Sequence, residues 1–322
     1  MKCTILHKKD EGRPLSLISC IIFISALFIS TLSYAQTDGI LQKSYSSPEE
    51  AVNSLIAAVR ANDTMAMLTI LGHGGKEMIS SGDAVADKSG RENFIKAYDE
   101  KNILQQGPGD KWVLSVGNDD WPMPIPIVKK EAKWLFDPHE GKQEILNRRI
   151  GRNELQVMNV LHAYVDAQHE YASKDCSGGG KVEFAQRLIS TKDRHDGLYW
   201  EAKDGEDESP LGPLFAQAAE EGYSNADLSP YHGYYFRILT GQGSNAEGGA
   251  YDYVVNGKMI LGFALLAYPA EYKNSGIMTF IVNQEGIIYE KNLGKDSKQK
   301  SEAMKLFDPD QTWSMVEDTE EY

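Results

Sequence analysis

A chain of 322 residues, 41% hydrophobic and 25% charged, has the composition of an ordinary globular protein and the length of about two domains. Its 47 acidic against 33 basic side chains leave a formal charge of −14, which repels nucleic acid and anionic headgroups and argues against a DNA-binding or lipid-surface role. Cys3 and Cys20 fall in an N-terminal leader, and the one cysteine beyond it, Cys176, cannot make an internal disulfide, so packing must hold the fold.

Lys2, Lys8, Lys9 and Arg13 precede an apolar run from Leu15 to Leu32, and Ser33-Tyr34-Ala35 stands before Gln36. A basic start, an apolar stretch and a small-x-small site in this order predict a cleavable secretory signal over residues 1–35 and a periplasmic or secreted protein. The run is near the lower limit for spanning a bilayer, so an uncleaved anchor is the rival reading. Ser25, Ser30 and the small residues before Gln36 favour cleavage, with no membrane insertion afterwards. Leu17-Ile18-Ser19-Cys20 imitates a lipoprotein box, but the apolar run follows Cys20 instead of preceding it. Removing the leader takes away four positive and two negative charges and leaves −16.

An N-terminal α+β domain is expected over residues 36–142. Ser47-Pro48-Glu49-Glu50 is a capping box with proline at the first helical position, and Ala51, Leu55, Ala58 and Val59 follow at helical spacing to about Ala61. Asp63 caps a second helix carrying Met65, Leu68 and Leu71, which Gly72 ends. Ser89-Gly90-Arg91-Glu92 repeats the capping box before Phe94, Ile95 and Tyr98. Trp112 to Val116 and Lys133 to Phe136 read as strands. Between them Trp121-Pro122-Met123-Pro124-Ile125-Pro126 loses every second backbone donor, so it suits only a sheet edge or a polyproline-like arm. Short helices followed by a curved antiparallel sheet is an order similar to nuclear-transport-factor-like domains.

A C-terminal domain over residues 143–322 starts with one long helix, Gln143 to Ala172. At 100° per residue, Val157, Met158, Val160, Leu161, Tyr164, Val165, Gln168, Tyr171 and Ala172 share one wide face. Gln168 sits near the middle of it, and a buried amide needs partners, which predicts that it pins the helix to one strand or loop. A short helix is expected at Val182 to Ile189 and another at Leu214 to Glu221. Strands then follow at Tyr234 to Leu239, Tyr251 to Val255, Met259 to Ala267, Ile277 to Val282 and Ile287 to Tyr289. Asn256-Gly257 marks a hairpin turn. A last helix, Ser297 to Phe307 with Ser297 as cap, closes the chain before an acidic tail.

Several long segments together carry a family resemblance. They are Ser47 to Val52, Trp121 to Pro126, Arg148-Arg149-Ile150-Gly151-Arg152-Asn153-Glu154, Ala167 to Tyr171, Gly262-Phe263-Ala264, Tyr268-Pro269-Ala270-Glu271-Tyr272 and Ser275 to Phe280. On these the chain resembles a group of bacterial exported proteins, domain of unknown function 2950. The resemblance implies export and no assigned activity. Residues 143–290, with a long helix, then Gly233 to Phe236 and a Gly276 to Gly286 hairpin, are also similar in shape to pilin-like globular domains. Those place the helix directly behind a membrane segment, whereas here about a hundred residues intervene, so filament assembly does not carry over.

Candidate sites are sparse. His162, Asp166 and His169 fall within about 60° on the long helix, a spacing a metal site could use, although the arc lies opposite the apolar face where solvated polar residues belong. Lys192 to Gly197, then Tyr199, Trp200 and Glu201, are dense in acid and base groups, as hydrated loops often are. Cys176 has no neighbouring base to make it a thiolate. No phosphate loop, paired-cysteine zinc pattern, zincin helix or nucleophile elbow occurs, and no cofactor is expected. Tyrosines crowd the C-terminal strands; Tyr234, Tyr235, Arg237, Tyr268, Glu271, Tyr272 and Ser275 suit recognition of an envelope protein or glycan, and equally the packing of a wet-edged sheet. The leading expectation is a non-catalytic binding or interaction module. The alternatives are an envelope hydrolase with His195 or His232 as base beside Asp193, Asp196 or Asp252, and a docking component of an envelope assembly.

Overall fold

Ser47 opens the first helix through the predicted cap: in the computed structural model its hydroxyl accepts the Glu50 amide at 3.2 Å, and α1 runs Pro48–Arg60. The structure describes residues 41–174, 176, 182–203, 205, 207–224 and 229–317, and the predicted leader lies outside the described residues. Val52, Leu55, Ile56 and Val59 are buried on one face of α1, each stabilising the fold by about 2 kcal/mol of transfer free energy. Asp63 caps α2, Thr64–Leu71, and Gly72 ends it at φ +75°. Its buried face is Met67, Ile70 and Leu71, while the expected Met65 is 64% exposed. A single turn, α3 at Lys76–Ile79, leads to α4, Ala84–Glu100. The expected start at Ser89-Gly90 is thereby corrected. Asp83, 2% exposed, caps α4 earlier through the Val85 and Ala86 amides, and the helix runs on through Gly90.

Strands β1 (Asn102–Gln106), β2 (Lys111–Val116), β3 (Trp121–Pro122), β4 (Ile127–Lys130) and β5 (Lys133–Phe136) form an antiparallel sheet in the order β1-β2-β4-β5, with β3 on the end of β2. The proline-limited segment therefore contributes one short edge piece. β1 and β4 escape a periodicity reading because Asn102-Ile103-Leu104-Gln105-Gln106 is largely exposed and Lys129-Lys130 is charged. Tyr45, Leu55, Ile70, Leu114, Ile127 and Phe136 are the centre of the core these elements share.

Helix α5 spans Lys142–Ser173, and its expected face is buried from Val157 to Ala172, with Met158 at the margin. Gln168 is fully buried and pinned as predicted. Its Oε1 accepts the Ala185 amide at 2.8 Å, and its Nε2 donates to the Ala185 carbonyl at 2.8 Å and to the Tyr164 hydroxyl at 3.0 Å. The segment so held is extended, correcting the helix expected at Val182 to Ile189. Phe184 N bonds Met259 O at 2.8 Å, Tyr199 N bonds Leu188 O at 2.9 Å, and these distant partners override local propensity.

After α6, Gly212–Glu220, come β6 (Tyr234–Leu239), β7 (Gly241–Gln242), β8 (Tyr251–Asp252), β9 (Val254–Val255), β10 (Lys258–Met259), β11 (Ala264–Pro269), β12 (Thr279–Asn283) and β13 (Ile288–Lys291). The chain ends in α7 (Ser297–Ala303), β14 (Leu306–Phe307) and β15 (Ser314–Met315). Asn256 and Gly257, at φ +53° and +79°, form the expected turn between β9 and β10. The main antiparallel sheet has the order β15-β13-β12-β11-β6. β11 and β12 are buried along their whole length, with α5 and α7 both packed against β11. α7 is shorter than expected, because Leu306 and Phe307 pair with β7 instead, and Ser297 lies buried within the helix rather than capping it.

The architecture is α+β, with one core within residues 45–136 and another within 157–307, in the single compact unit Gly39–Tyr322. The expected division at residue 142 falls where α5 begins. No described helix is long and apolar enough to cross a membrane.

Candidate binding cleft

β6 is an edge strand, and the turn that leads into it sets the geometry of that edge. Tyr231 N donates to Tyr234 O at 2.9 Å and Tyr234 N to Tyr231 O at 3.1 Å, closing a two-residue hairpin over His232 and Gly233. Their φ angles of +48° and +74° make it a type I′ turn, which accounts for the left-handed histidine without any catalytic strain. Among the described residues only Tyr231 pairs with the outer side of β6, and the chain before it does not continue as a strand there.

Beyond the turn lies a cleft of about 480 Å³. Its floor is Val160 and Tyr164 of α5 with Leu265 of β11, and β6 forms one wall along Tyr235 to Ile238. Leu214, Phe215 and Ala218 of α6 form a second wall. They share one side of that helix and are only half-buried, so the helix turns an incompletely covered apolar face to the cleft. Phe215 is held by stacking on Tyr199, with ring centroids 4.0 Å apart and planes within 6°. The extended segment Gln186 to Ile189 closes the third side, positioned by the Gln168 bonds to Ala185. Tyr223 and Tyr231 stand at the mouth, and burial pushes the Tyr231 hydroxyl up to about 12, so it stays a neutral hydrogen-bonding group. Among the described residues the lining includes Arg187 and Arg237 but no Asp or Glu, an exception in so acidic a chain. A wider depression of about 760 Å³ between α1 and α4 is rimmed mainly by charges of both signs, Arg60, Lys88, Arg91, Glu92, Lys96 and Asp99.

The acid–base candidates do not assemble. His195, exposed in its loop, stacks on Trp200 at 4.2 Å, and its carbonyl accepts the Tyr171 hydroxyl at 2.6 Å. Asp196 folds back onto Thr191, accepting from its amide at 2.7 Å and its hydroxyl at 2.9 Å, while Asp193 meets Lys203 at 3.6 Å. Asp252 is exposed on β8. The carboxylate that does approach a candidate histidine is Glu221, which the sequence did not single out: its Oε2 lies 3.2 Å from His232 Nε2, off the direction of a hydrogen bond. On α5, no three potential ligands converge among the described residues. Asp166 is exposed, and His169 turns Nε2 to the Gln284 carbonyl at 3.1 Å with its ring edge-on to Phe263.

Burial holds the His232 imidazole below the ordinary histidine range, against the pull of Glu221 and Asp83, with Arg152 acting in the same direction as burial. An unfolded histidine takes up its proton near pH ~6.5, and the folded one only at lower pH, so acidification through that window favours the unfolded chain. Thermal unfolding should therefore show a larger fall in Tm between about pH 7.5 and 5.5 for the wild type than for His232→Asn. Asparagine followed by glycine suits the same type I′ turn, so the variant keeps the hairpin. Equal pH dependence in the two proteins would refute the assignment.

Of the expected recognition residues, Tyr235 and Arg237 line the cleft. Tyr235 faces Tyr268 across the sheet at 5.6 Å with Lys298 over its ring, and the Arg237 guanidinium donates to the Ser301 and Met304 carbonyls at the end of α7. Tyr234 is fully buried, its hydroxyl donating to Met278 O at 3.0 Å. The loop from Tyr268 to Ser275, expected as a contact surface, is instead a clasp joining the two cores. Ser275 is fully buried, its carbonyl accepting Asn153 Nδ2 at 2.9 Å. Glu271 accepts Asn274 Nδ2 at 2.7 Å, Arg149 reaches Asn274 Oδ1 and the Glu77 and Met78 carbonyls, and half-buried Tyr272 lies under Lys273. Arg149, Asn153 and Glu154 carry no signal of this role, since their partners lie roughly 70 to 125 residues away in sequence.

The family model described as a protein of unknown function, DUF2950, matches residues 42–316. Searches of curated proteins and of solved structures found no match.

Proposed function

We propose, for a chain that belongs to the DUF2950 family of proteins of unknown function, that it is a non-catalytic binding module exported to the cell envelope or medium, which captures its ligand in the cleft beside β6. The observation that carries this reading is the half-covered apolar face of α6 set opposite an open sheet edge. A cavity of this size with an apolar floor and a few polar groups at its mouth is the usual form of a ligand site. The separation of His195 and His232 from Asp193, Asp196 and Asp252 in hydrogen bonding favours binding over hydrolysis. The basic, apolar and small-residue order of the first 35 residues supports export.

The test uses the environment-sensitive apolar anion 1-anilinonaphthalene-8-sulfonate. The full chain should bind it at one site with a fluorescence increase, and Ala218→Trp, which fills the cleft from α6, should weaken binding at least tenfold with Tm little changed. Equal binding by the variant would dismiss the cleft. Cell fractionation of the same preparation should give a mature N-terminus at Gln36 outside the cytoplasm, and intact Met1 material in the cytosol would remove export.

A further inference from the structure

The ladder of β6 can be phased from its ends. Ala270 N donates to Gly233 O at 2.9 Å, so Gly233 bonds inward, toward the strand that carries β11. Tyr234 bonds outward to Tyr231 through both N–H and C=O, and opposite it stands Pro269, which has no N–H to give. Inward and outward residues alternate along an antiparallel pair. Tyr235, Arg237 and Leu239 therefore bond β11, while Phe236, Ile238 and Thr240 turn their N–H and C=O groups outward. Thr240 is satisfied there, donating to Lys305 O at 3.3 Å and accepting from Tyr253 N at 2.8 Å. Between the two satisfied ends, Phe236 and Ile238 present two N–H and two C=O groups with no protein partner among the described residues. Both residues line the cleft.

We infer that the occupant of the cleft is an extended peptide segment of another protein, which adds to β6 as a further strand through the backbone of Phe236 and Ile238; this rests on the binding-module reading above. An unpaired edge is a template for a strand, and main-chain bonds then supply affinity while alternate side chains supply selectivity. Two outward residues separated by one inward residue set a repeat of about 7 Å, the spacing of every second residue in a strand. One side chain of the guest enters the apolar space over Val160, Tyr164 and Leu265, and its neighbours on either side point away. With no carboxylate among the described lining residues and exposed Arg187 at the rim, the complementary guest carries apolar residues at alternate positions and an acidic residue or free carboxylate beside them.

The probe is a seven-residue synthetic peptide alternating valine with threonine and ending in glutamate with a free carboxylate. Amide hydrogen exchange of the full chain should slow at least tenfold at Phe236 and Ile238 on adding it, with no comparable change elsewhere in β6. N-methylating the peptide at every second amide in one parity should weaken binding at least tenfold, and in the other parity should leave it nearly unchanged, since only every second amide faces the edge. Ile238→Pro removes one outward N–H without touching the bonds to β11; it should lose the peptide with Tm little changed. Three results would overturn the inference: equal binding of both methylated peptides, dye binding without slowed exchange, or displacement of the dye by decanoate but not by peptide. The last would assign the cleft to a lipid-like carboxylate. Any of these leaves the cleft itself standing, whereas failure of dye and peptide together brings down both readings.

Discussion

Replacing Asp83 by alanine is expected to lower the free energy of unfolding by about 4 kcal/mol. Asp83 is 2% exposed, and each of its oxygens accepts two bonds. Oδ1 caps α4 through Val85 N at 3.1 Å and Ala86 N at 3.0 Å, while Oδ2 takes the Tyr223 hydroxyl and Gly233 N, both at 2.9 Å. Alanine removes a helix cap, typically about 1 kcal/mol, and leaves the buried Gly233 amide and the part-buried Tyr223 O–H without an acceptor at about 1 to 3 kcal/mol each. Asp83→Asn keeps the shape but must aim an NH₂ at donors on one side, so about half the loss is expected. Tyr223→Phe deletes one donor to Asp83 and the acceptor of the His232 amide and should cost about 2 kcal/mol. Urea unfolding of the three variants measures the series. If Asp83→Ala and Tyr223→Phe lose the same amount, the cap and the Gly233 bond contribute nothing.

Asp83 also marks the limit of what the amino-acid order makes legible. A capping box is a local signal, and it placed α1 at Ser47 correctly, yet the same pattern at Ser89 misled, because the buried carboxylate upstream is a stronger cap and its other partners are Tyr223 and Gly233. The I′ turn at Asn256-Gly257 and the wheel of α5 are equally local, and both stand in the structure. Errors cluster where partners are remote. Val182 to Ile189 has the composition of a short helix but is extended because Met259, Gln168 and Tyr199 claim its backbone. Tyrosine density drew attention to β6, and Tyr235 and Arg237 do border the cleft. The opposing walls on α6 and at Gln186 to Ile189 were invisible, since neither has a motif and the cleft exists only through their meeting. Residues of the segments that carried the family resemblance, Asn153 and Glu154 with Ser275, Ile277 and Met278, turn out to touch one another, which no one-dimensional reading could supply.

Gln168→Leu should destabilise the fold by about 3 kcal/mol and disable the cleft as well. The amide of Gln168 imitates a backbone rung, accepting from Ala185 N and donating to Ala185 O, both at 2.8 Å, at a position with no solvent exposure. Leucine fills nearly the same volume and improves apolar contact, but it strands both groups of Ala185 where water cannot reach. Gln168→Glu does no better, because it sets a carboxylate oxygen against the Ala185 carbonyl and buries a charge besides. The consequence extends to function because Ala185 anchors the segment whose next residues, Gln186 to Ile189, form a wall of the cleft. Amide exchange over residues 184–190 should rise in Gln168→Leu well before global unfolding, and dye affinity should fall with it. Alanine at Phe184, which bonds Met259 through its backbone only, should keep that wall extended and the affinity largely intact. If Gln168→Leu loses stability while exchange in 184–190 and dye binding stay at wild-type levels, Gln168 supports the core alone and the cleft wall is held by its bonds to Leu198 and Tyr199.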